Sequence, residues 1–384
     1  EALWSAGPLW WTSLSYTQSP HNLPILQLTQ FSGPSTVTAA IVVVNGLIAE
    51  CILSFVLFFH APGGLRANSI FLLAIALGLL VSFHAIGWTL LSRPLEQEMP
   101  IKVGIIQGNI PNDIKLFRDG FQRAMQRYTE GYEELADLGV DAVLTPEGAL
   151  PIFLNRLQDT PFYNAVLNRG AIVWLGAYGE MPGETPRLNY TNSLFTLTET
   201  GKVVSRFDKV KLVPLGEYIP FEPIVGKIID RLSPLNAHMI AGKSSQSFDT
   251  PFGKAIVGIC YESAFSEHFR RQTVRGGEFI LTASNNAHYA QTMPAQHHAQ
   301  DVIRAVESDR WAARATNTGY SGIVDPRGRT IWISGINTYE IRAATIYRRT
   351  SRTPYVRWGD WLMWSLLGTS AIALGRTCRK VYTN

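Results

Sequence analysis

The sequence predicts an α/β domain with a mixed sheet, set between membrane-spanning helices. Three observations carry that expectation. From Ile101 onward, short apolar runs alternate with polar stretches of helical period. Before that point stand two long apolar runs almost free of charge. A shorter apolar run flanked by tryptophans and basic residues closes the chain.

The membrane elements come first. Val37–Phe59, VTAAIVVVNGLIAECILSFVLFF, is long enough to cross a hydrocarbon core of about 30 Å. Ile70–Leu91, IFLLAIALGLLVSFHAIGWTLL, has no charged residue. Trp361–Gly375 is shorter than the usual span of roughly 17–25 residues, and Arg376 and Arg379 extend it by snorkelling; a core helix of the soluble domain is the other possibility. The first basic residue of the chain is Arg66, between the first two spans, and the tail carries Arg376, Arg379 and Lys380. The positive-inside rule puts both clusters in the cytoplasm. The expected order is an extracytoplasmic loop 1–36, a span 37–59, a cytoplasmic loop 60–69, a span 70–91, an outward-facing domain 92–358, a span 361–375 and a cytoplasmic tail 376–384. Asn45 and Glu50 lie within the first span and are expected to face other helices.

Composition limits the function. The 384 residues allow one large domain with additions. A charged fraction of 17% and ten tryptophans fit a globular domain joined to membrane segments. The net charge of +4 comes with no lysine-rich block or aromatic-basic alternation, which argues against nucleic acid as a partner. The cysteines, Cys51, Cys260 and Cys378, are far apart and form no CxxC. Neither a zinc site nor a disulfide framework follows. The chain begins at Glu1 without a signal-peptide pattern, so it reads as a fragment of something longer.

Within the outward domain, IKVGIIQ (101–107) reads as a buried strand and Phe117–Leu138 as an amphipathic helix, with Phe117, Phe121, Met125, Tyr128, Tyr132 and Leu135 at helical spacing. DAVLTPE (141–147) is a strand passing into a loop, and AIVWLGAY (171–178) a further strand. TNSLFTLT (191–198) and GKVVSRFD (201–208) form a hairpin. KAIVGIC (254–260) and EFILTAS (278–284) are strands separated by a helix over Ala264–Arg275. A helix over His297–Ala313 precedes the strands SGIVD and TIWIS. Residues 219–250, rich in Pro, Gly and Ser, read as a long excursion able to serve as a lid.

Candidate chemistry clusters at strand ends. Cys260 closes an apolar strand before a helix, a bend that exposes a nucleophile. Alone, a free cysteine is more often a small buried hydrophobe. Glu147 ends another strand, where a partly desolvated carboxylate serves as a general base; in isolation, an ordinary surface or capping glutamate is the commoner case. In FDKVKLVPLGE, Lys209 and Lys211 both qualify for stabilising an oxyanion, and strand alternation does not choose between them. Glu217 has the same weak standing. His288, His297 and His298 match no familiar metal spacing and read as surface histidines at a helix start.

The combination of a Glu, a Lys and a Cys near strand ends of one α/β domain changes these odds. VGIIQGNIP (103–111), LTPEGALP (144–151), FDKVKLVPLGEYIPF (207–221), GICYESAF (258–265), SNNAHY (284–289), RATNTGYSGIVDPRG (314–328) and TPYVRWGDW (353–361) together resemble the nitrilase, or carbon–nitrogen hydrolase, superfamily. They are most similar to its apolipoprotein N-acyltransferase branch. The resemblance implies an αββα sandwich inserted between transmembrane helices of a bacterial inner membrane, with the domain in the periplasm and further spans N-terminal to those seen here. It implies a Glu147–Lys209–Cys260 triad, with Glu217, Tyr261 and Glu262 lining the substrate site, and no cofactor or metal. The implied reaction is ping-pong. Cys260 takes an acyl chain from the sn-1 position of a phospholipid as a thioester. It then passes the chain to the α-amine of an S-diacylglyceryl cysteine on an apolipoprotein. A membrane-tethered amidase acting on a small C–N substrate and a non-catalytic scaffold are the alternatives. The chain departs from the branch at His288-Tyr289, where a Trp-Phe pair is usual, at Asn286, where Asp is usual, and near Leu116, where a Trp is usual.

Overall fold

The computed structural model describes residues 1–384 except 6, 8, 59–64, 182–187, 219–236, 288 and 384. Two helices, α1 (Pro34–Phe58) and α2 (Leu65–Leu91), precede the α/β domain and pack against each other. Each contains a stretch long and apolar enough to cross a membrane, Pro34–Val56 and Ser69–Leu91, and each leaves most of that stretch exposed. Asn45 and Glu50 are on the exposed surface of α1.

The domain then runs β1 (Pro100–Gln107), α3 (Arg118–Asp137), β2 (Ala142–Leu144), α4 (Pro161–Arg169), β3 (Ile172–Met181), β4 (Leu188–Leu197), β5 (Val203–Asp208) and β6 (Ala237–Met239). It continues through β7 (Phe248–Thr250), β8 (Gly253–Ile259), α5 (Ser266–Val274), β9 (Phe279–Ser284) and α6 (Thr292–Ser308). It ends with β10 (Ala312–Thr316), β11 (Gly322–Val324), β12 (Thr330–Ile333) and β13 (Glu340–Tyr347), before a last helix, α7 (Trp361–Thr383).

The strands make two mixed sheets. The first has the order β13-β1-β2-β3-β4-β5, with β6 paired to β4; the second has the order β12-β11-β10-β9-β8-β7. Their facing sides form one apolar layer. Val103, Ile105, Leu144, Trp174 and Phe207 from the first sheet meet Val257, Ile259, Leu281 and Ala313 from the second. Period-two alternation sends the intervening residues outward. Ile106, Val143 and Val173 pack beneath α3 and α4, with Tyr128, Tyr132 and Phe162. Ile256 and Ile280 pack beneath α5 and α6, with Phe269, Val302 and Ile303. Helix, sheet, sheet and helix therefore stack as four layers, the αββα arrangement that the sequence motifs implied.

Several expected boundaries shift. The helix expected over 297–313 begins at Thr292 and stops at Ser308, where Asp309 turns at φ +53°; residues 312–313 belong to β10 instead. His297 and His298, expected at the surface, are buried within α6. The reason is that α6 has the second sheet on one side and the N-terminal segment on the other, with Trp11 against His297. His288 and most of the 219–250 excursion lie outside the described residues, and 237–250 supplies β6 and β7. α4 and the edge strand β13 had no clear signal in the sequence. α7 continues beyond Gly375 through the basic residues to Thr383.

Candidate active site

The first component is the turn after β2. Thr145-Pro146-Glu147 lies close against β3, and Gly176 permits this approach: a Cβ there would sit 1.9 Å from the Pro146 carbonyl oxygen. Glu147 is 7% exposed. Its Oε1 accepts hydrogen bonds from Lys209 Nζ at 2.9 Å and from Asn192 Nδ2 at 2.7 Å, and its Oε2 accepts one from the Asn285 backbone N–H at 2.9 Å. Burial pushes this carboxyl up, but the Lys209 ammonium, its hydrogen bond, the Lys115 ammonium and the Cys260 thiol outweigh burial and hold it below its ordinary value. Glu147 is therefore ionised at neutral pH.

Lys209 lies immediately after β5, fully buried. Its backbone N–H donates to Asn192 O at 2.8 Å. Its ammonium donates to Glu147 and, at 2.6 Å, to Glu217 Oε1. Burial lowers its affinity for the proton, but the charges of Glu147 and Glu217 raise it well above the ordinary lysine value. Lys211, equally eligible from spacing, is exposed, with its Nζ 4.9 Å from the centre of the Phe265 ring. Strand alternation does not choose at this point because β5 ends at Asp208, and the chain bends at residues 210–211. Glu217 is the second carboxylate on Lys209, and its Oε2 accepts from the Val213 backbone N–H at 2.8 Å. Burial, reinforced by the Glu147 charge, raises its proton affinity. The environments of the two carboxyls thus differ, Glu147 being held down and Glu217 pushed up.

The third component comes from the second sheet. Cys260 ends β8 and begins the 3-10 turn Cys260–Ala264, with φ +52°. A non-glycine residue in this left-handed region costs on the order of 1–3 kcal/mol, and such strain persists where surrounding structure enforces it. The enforcing residue is Glu262. Its Oε2 accepts from the Ile259 N–H at 2.7 Å, while its Oε1 accepts from the backbone N–H groups of Val210 and Lys211 at 2.6 and 3.0 Å. One buried carboxylate thereby binds the cysteine turn to the segment that follows Lys209. Glu262 was expected among the substrate contacts; both of its oxygens are engaged by backbone. Tyr261 stacks on Trp11 at 6.1 Å between ring centres and meets Phe265 edge-on, and its hydroxyl donates to Trp10 O.

Cys260 is 5% exposed, and its thiol lies close enough to the Glu147 carboxyl for each to shift the other's proton affinity. Burial pushes it up to about 12, with the Glu147 charge adding to the effect and Lys209 opposing it. A protonated thiol therefore faces an ionised carboxylate that is anchored by an ammonium. Chemically, this arrangement can pass a proton from sulfur to Glu147 as the sulfur attacks an electrophile. Lys209 spends two N–H donors on the carboxylates, and an ammonium has a third that an oxyanion could accept.

Sequence reasoning missed Asn192, Asn285 and Lys115. The two asparagines carry no distinctive spacing, and their contacts depend on the fold bringing β4 and the end of β9, from the other sheet, to the turn after β2. Lys115 is next to the departure at Leu116 but had no signal of its own. No group of three or more metal-binding side chains occurs among the described residues. A cavity of about 690 Å³ opens behind the cysteine turn, between Phe265 and the apolar residues Val42, Met363 and Leu367 of α1 and α7. None of Glu147, Lys209 or Cys260 lines it.

Residues 102–354 match the family model described as carbon-nitrogen hydrolase. A protein of Nostoc sp. named apolipoprotein N-acyltransferase is 58% identical over 372 residues, covering 96% of this chain and 72% of that protein. A protein of the same name from Synechocystis sp. is 50% identical over 376 residues, with 97% and 71% covered. One from Thermosynechococcus vestitus is 44% identical over 376 residues, with 98% and 70% covered. Among solved structures, the C. elegans NitFhit protein is similar at a TM-score of 0.50 and 18% identity, covering 67% of this chain and 62% of that one. That likeness bears on the fold alone.

Proposed function

Because the chain belongs to the carbon-nitrogen hydrolase family, and within it to the apolipoprotein N-acyltransferases, we propose that it transfers an acyl chain from a phospholipid, through a thioester on Cys260, to the N-terminal amine of an S-diacylglyceryl-cysteine apolipoprotein. The observation that supports the mechanism is the buried Glu147 carboxylate, bound by Lys209 at 2.9 Å and by the Asn285 N–H at 2.9 Å, beside the buried Cys260.

In the first half-reaction Glu147 takes the thiol proton as Sγ bonds to the carbonyl carbon of the ester. Charge moves to the carbonyl oxygen, where the third N–H of Lys209 and neighbouring backbone N–H groups meet it. The C–O bond breaks, and the leaving alkoxide takes the proton from Glu147 and departs as lysophospholipid. In the second half, the lipoprotein's amine attacks the thioester and gives its proton to Glu147. The C–S bond breaks, and sulfur regains a proton from Glu147. Glu217 holds Lys209 in place, and Glu262 holds the cysteine turn. Tyr261 borders the site through its stack with Trp11.

Two apolar helices beside the domain support a membrane setting for both lipid substrates. We place the chain in a bacterial inner membrane as a multi-pass protein with the domain in the periplasm and α7 as a third span. The test is incubation with phospholipid followed by mass spectrometry of the Cys260 peptide. A thioester that is discharged by an S-diacylglyceryl-cysteine peptide, with the amide appearing on that peptide, is the expected result. A thioester discharged by water alone would instead indicate an amidase-like hydrolase, and no adduct at all would remove the acyl-carrier role of Cys260.

A further inference from the structure

Lys115 is a lysine that the triad does not use, yet its side chain reaches the triad. It ends the short helix Asn112–Lys115 between β1 and α3 and is 5% exposed. Its Nζ donates to the backbone carbonyl oxygen of Glu147 at 3.3 Å. No acidic side chain lies within 4.0 Å of it among the described residues, since the Glu147 carboxylate is turned to Lys209. The next residue, Gly148, has φ +53°, and a Cβ there would stand 3.5 Å from Lys115 Nζ and 3.5 Å from the Tyr178 hydroxyl. The ammonium is thus held against the Glu147–Gly148 peptide.

A buried ammonium has a desolvation cost of several kcal/mol unless opposite charge balances it. One carbonyl does not satisfy three N–H donors. The balancing charge within reach is the negative charge that Glu147 and Cys260 share. We infer that Lys115 is a second cation of the site, a positioning residue that fixes the Glu147 peptide and stabilises the negative charge on the Glu147–Cys260 pair. Its own titration agrees: burial lowers it to about 8, with the charges of Glu147 and Cys260 pulling it back up. The ionisable groups acting on the pair are Lys209, Lys115 and Glu217, together with Tyr178 and Tyr289, which feel the Glu147 charge.

The inference rests on Glu147 activating Cys260, and its test is chosen to be independent of lipid transfer. The full chain in detergent is alkylated with iodoacetamide across pH 5 to 9, and modification of Cys260 is followed by peptide mass spectrometry. K115M and K115Q, which remove the charge, should slow alkylation about tenfold near pH 6–7, and the deficit should narrow toward pH 9 as native Lys115 loses its own proton near 8. K115R, which keeps the charge, should follow the native profile below pH 8. K115Q retains an amide donor near the Glu147 carbonyl and serves if K115M does not fold. A deficit of one factor at every pH from 5 to 9, with no narrowing above pH 8, would overturn the inference, as would K115R behaving like K115Q. E147Q is the control. If it leaves the native profile unchanged, the base assigned under the proposed function fails whatever Lys115 does.

Discussion

Two buried ionic clusters lie on opposite faces of the second sheet, and their contrast separates chemistry from architecture. Toward the first sheet, Glu147, Glu217, Lys209 and Lys115 surround a thiol held at φ +52°. On the other face, within α6, Arg304 and Glu307 pair at 3.0 Å with both side chains fully buried, and Asp301 pairs with Arg314 of β10. Arg304 also lies over the rings of Tyr16 and Phe269 at 5.7 and 5.9 Å. The α6 cluster holds each cation to one carboxylate and contains no nucleophile. The Glu147 cluster ties one ammonium to two carboxylates, leaves another ammonium on a carbonyl, and adjoins Cys260 in its left-handed conformation. Burial of charge is common to both; unequal pairing around a nucleophile belongs to one. Even inside α6 the balance is incomplete, since burial raises Glu307 to about 7 against the pull of Arg304.

The largest expected effect comes from the thiol. C260S should abolish the phospholipid-derived adduct, while E147Q should slow its formation by about 10²–10⁴-fold, the usual contribution of a general base. C260S should keep native melting, and a C260S protein that still acylates would end the distinction between the clusters. Next is the architectural pair. R304M leaves Glu307 buried without its partner and should cost about 3–5 kcal/mol in denaturant unfolding, whereas the double variant R304M/E307L should recover most of that loss. Acylation per folded molecule should be preserved in both; a large drop in specific activity in the double variant would show that the α6 cluster serves the reaction. The smallest effect belongs to Cys51, a half-buried thiol of α1 whose Sγ donates to Ser69 O at 3.2 Å. C51S should leave both acylation and Cys260 alkylation unchanged within a factor of about two. Equal losses in C51S and C260S would remove the assigned role of Cys260.

Much of this protein was legible in its linear order. The apolar runs before residue 92 gave two long exposed helices, and alternation within IKVGIIQ and KAIVGIC placed buried strands within a residue or two of their ends. The strand-to-turn position of Cys260 was readable because a β-branched run must stop where its backbone changes direction. Other elements were not legible, for local reasons. Short edge strands such as β6 and β7 depend on a neighbour for their hydrogen bonds, and the start of β10 was obscured because its alanines suit a helix as well as a strand.

Sequence by itself therefore determined the class of the fold, the apolar helices and the segments that could carry a nucleophile and a base. Tertiary structure alone decided which charges meet. It buried Lys209 and exposed Lys211, brought Asn192 and Asn285 to opposite oxygens of Glu147, used Glu262 to clamp the cysteine turn, and left Lys115 beside the base. The physical reason is range. Propensity and periodicity act over a few residues, whereas the proton affinities that distinguish Glu147 from Glu217 arise from desolvation and from charges that sequence separates by 62 positions in the Lys209–Glu147 pair.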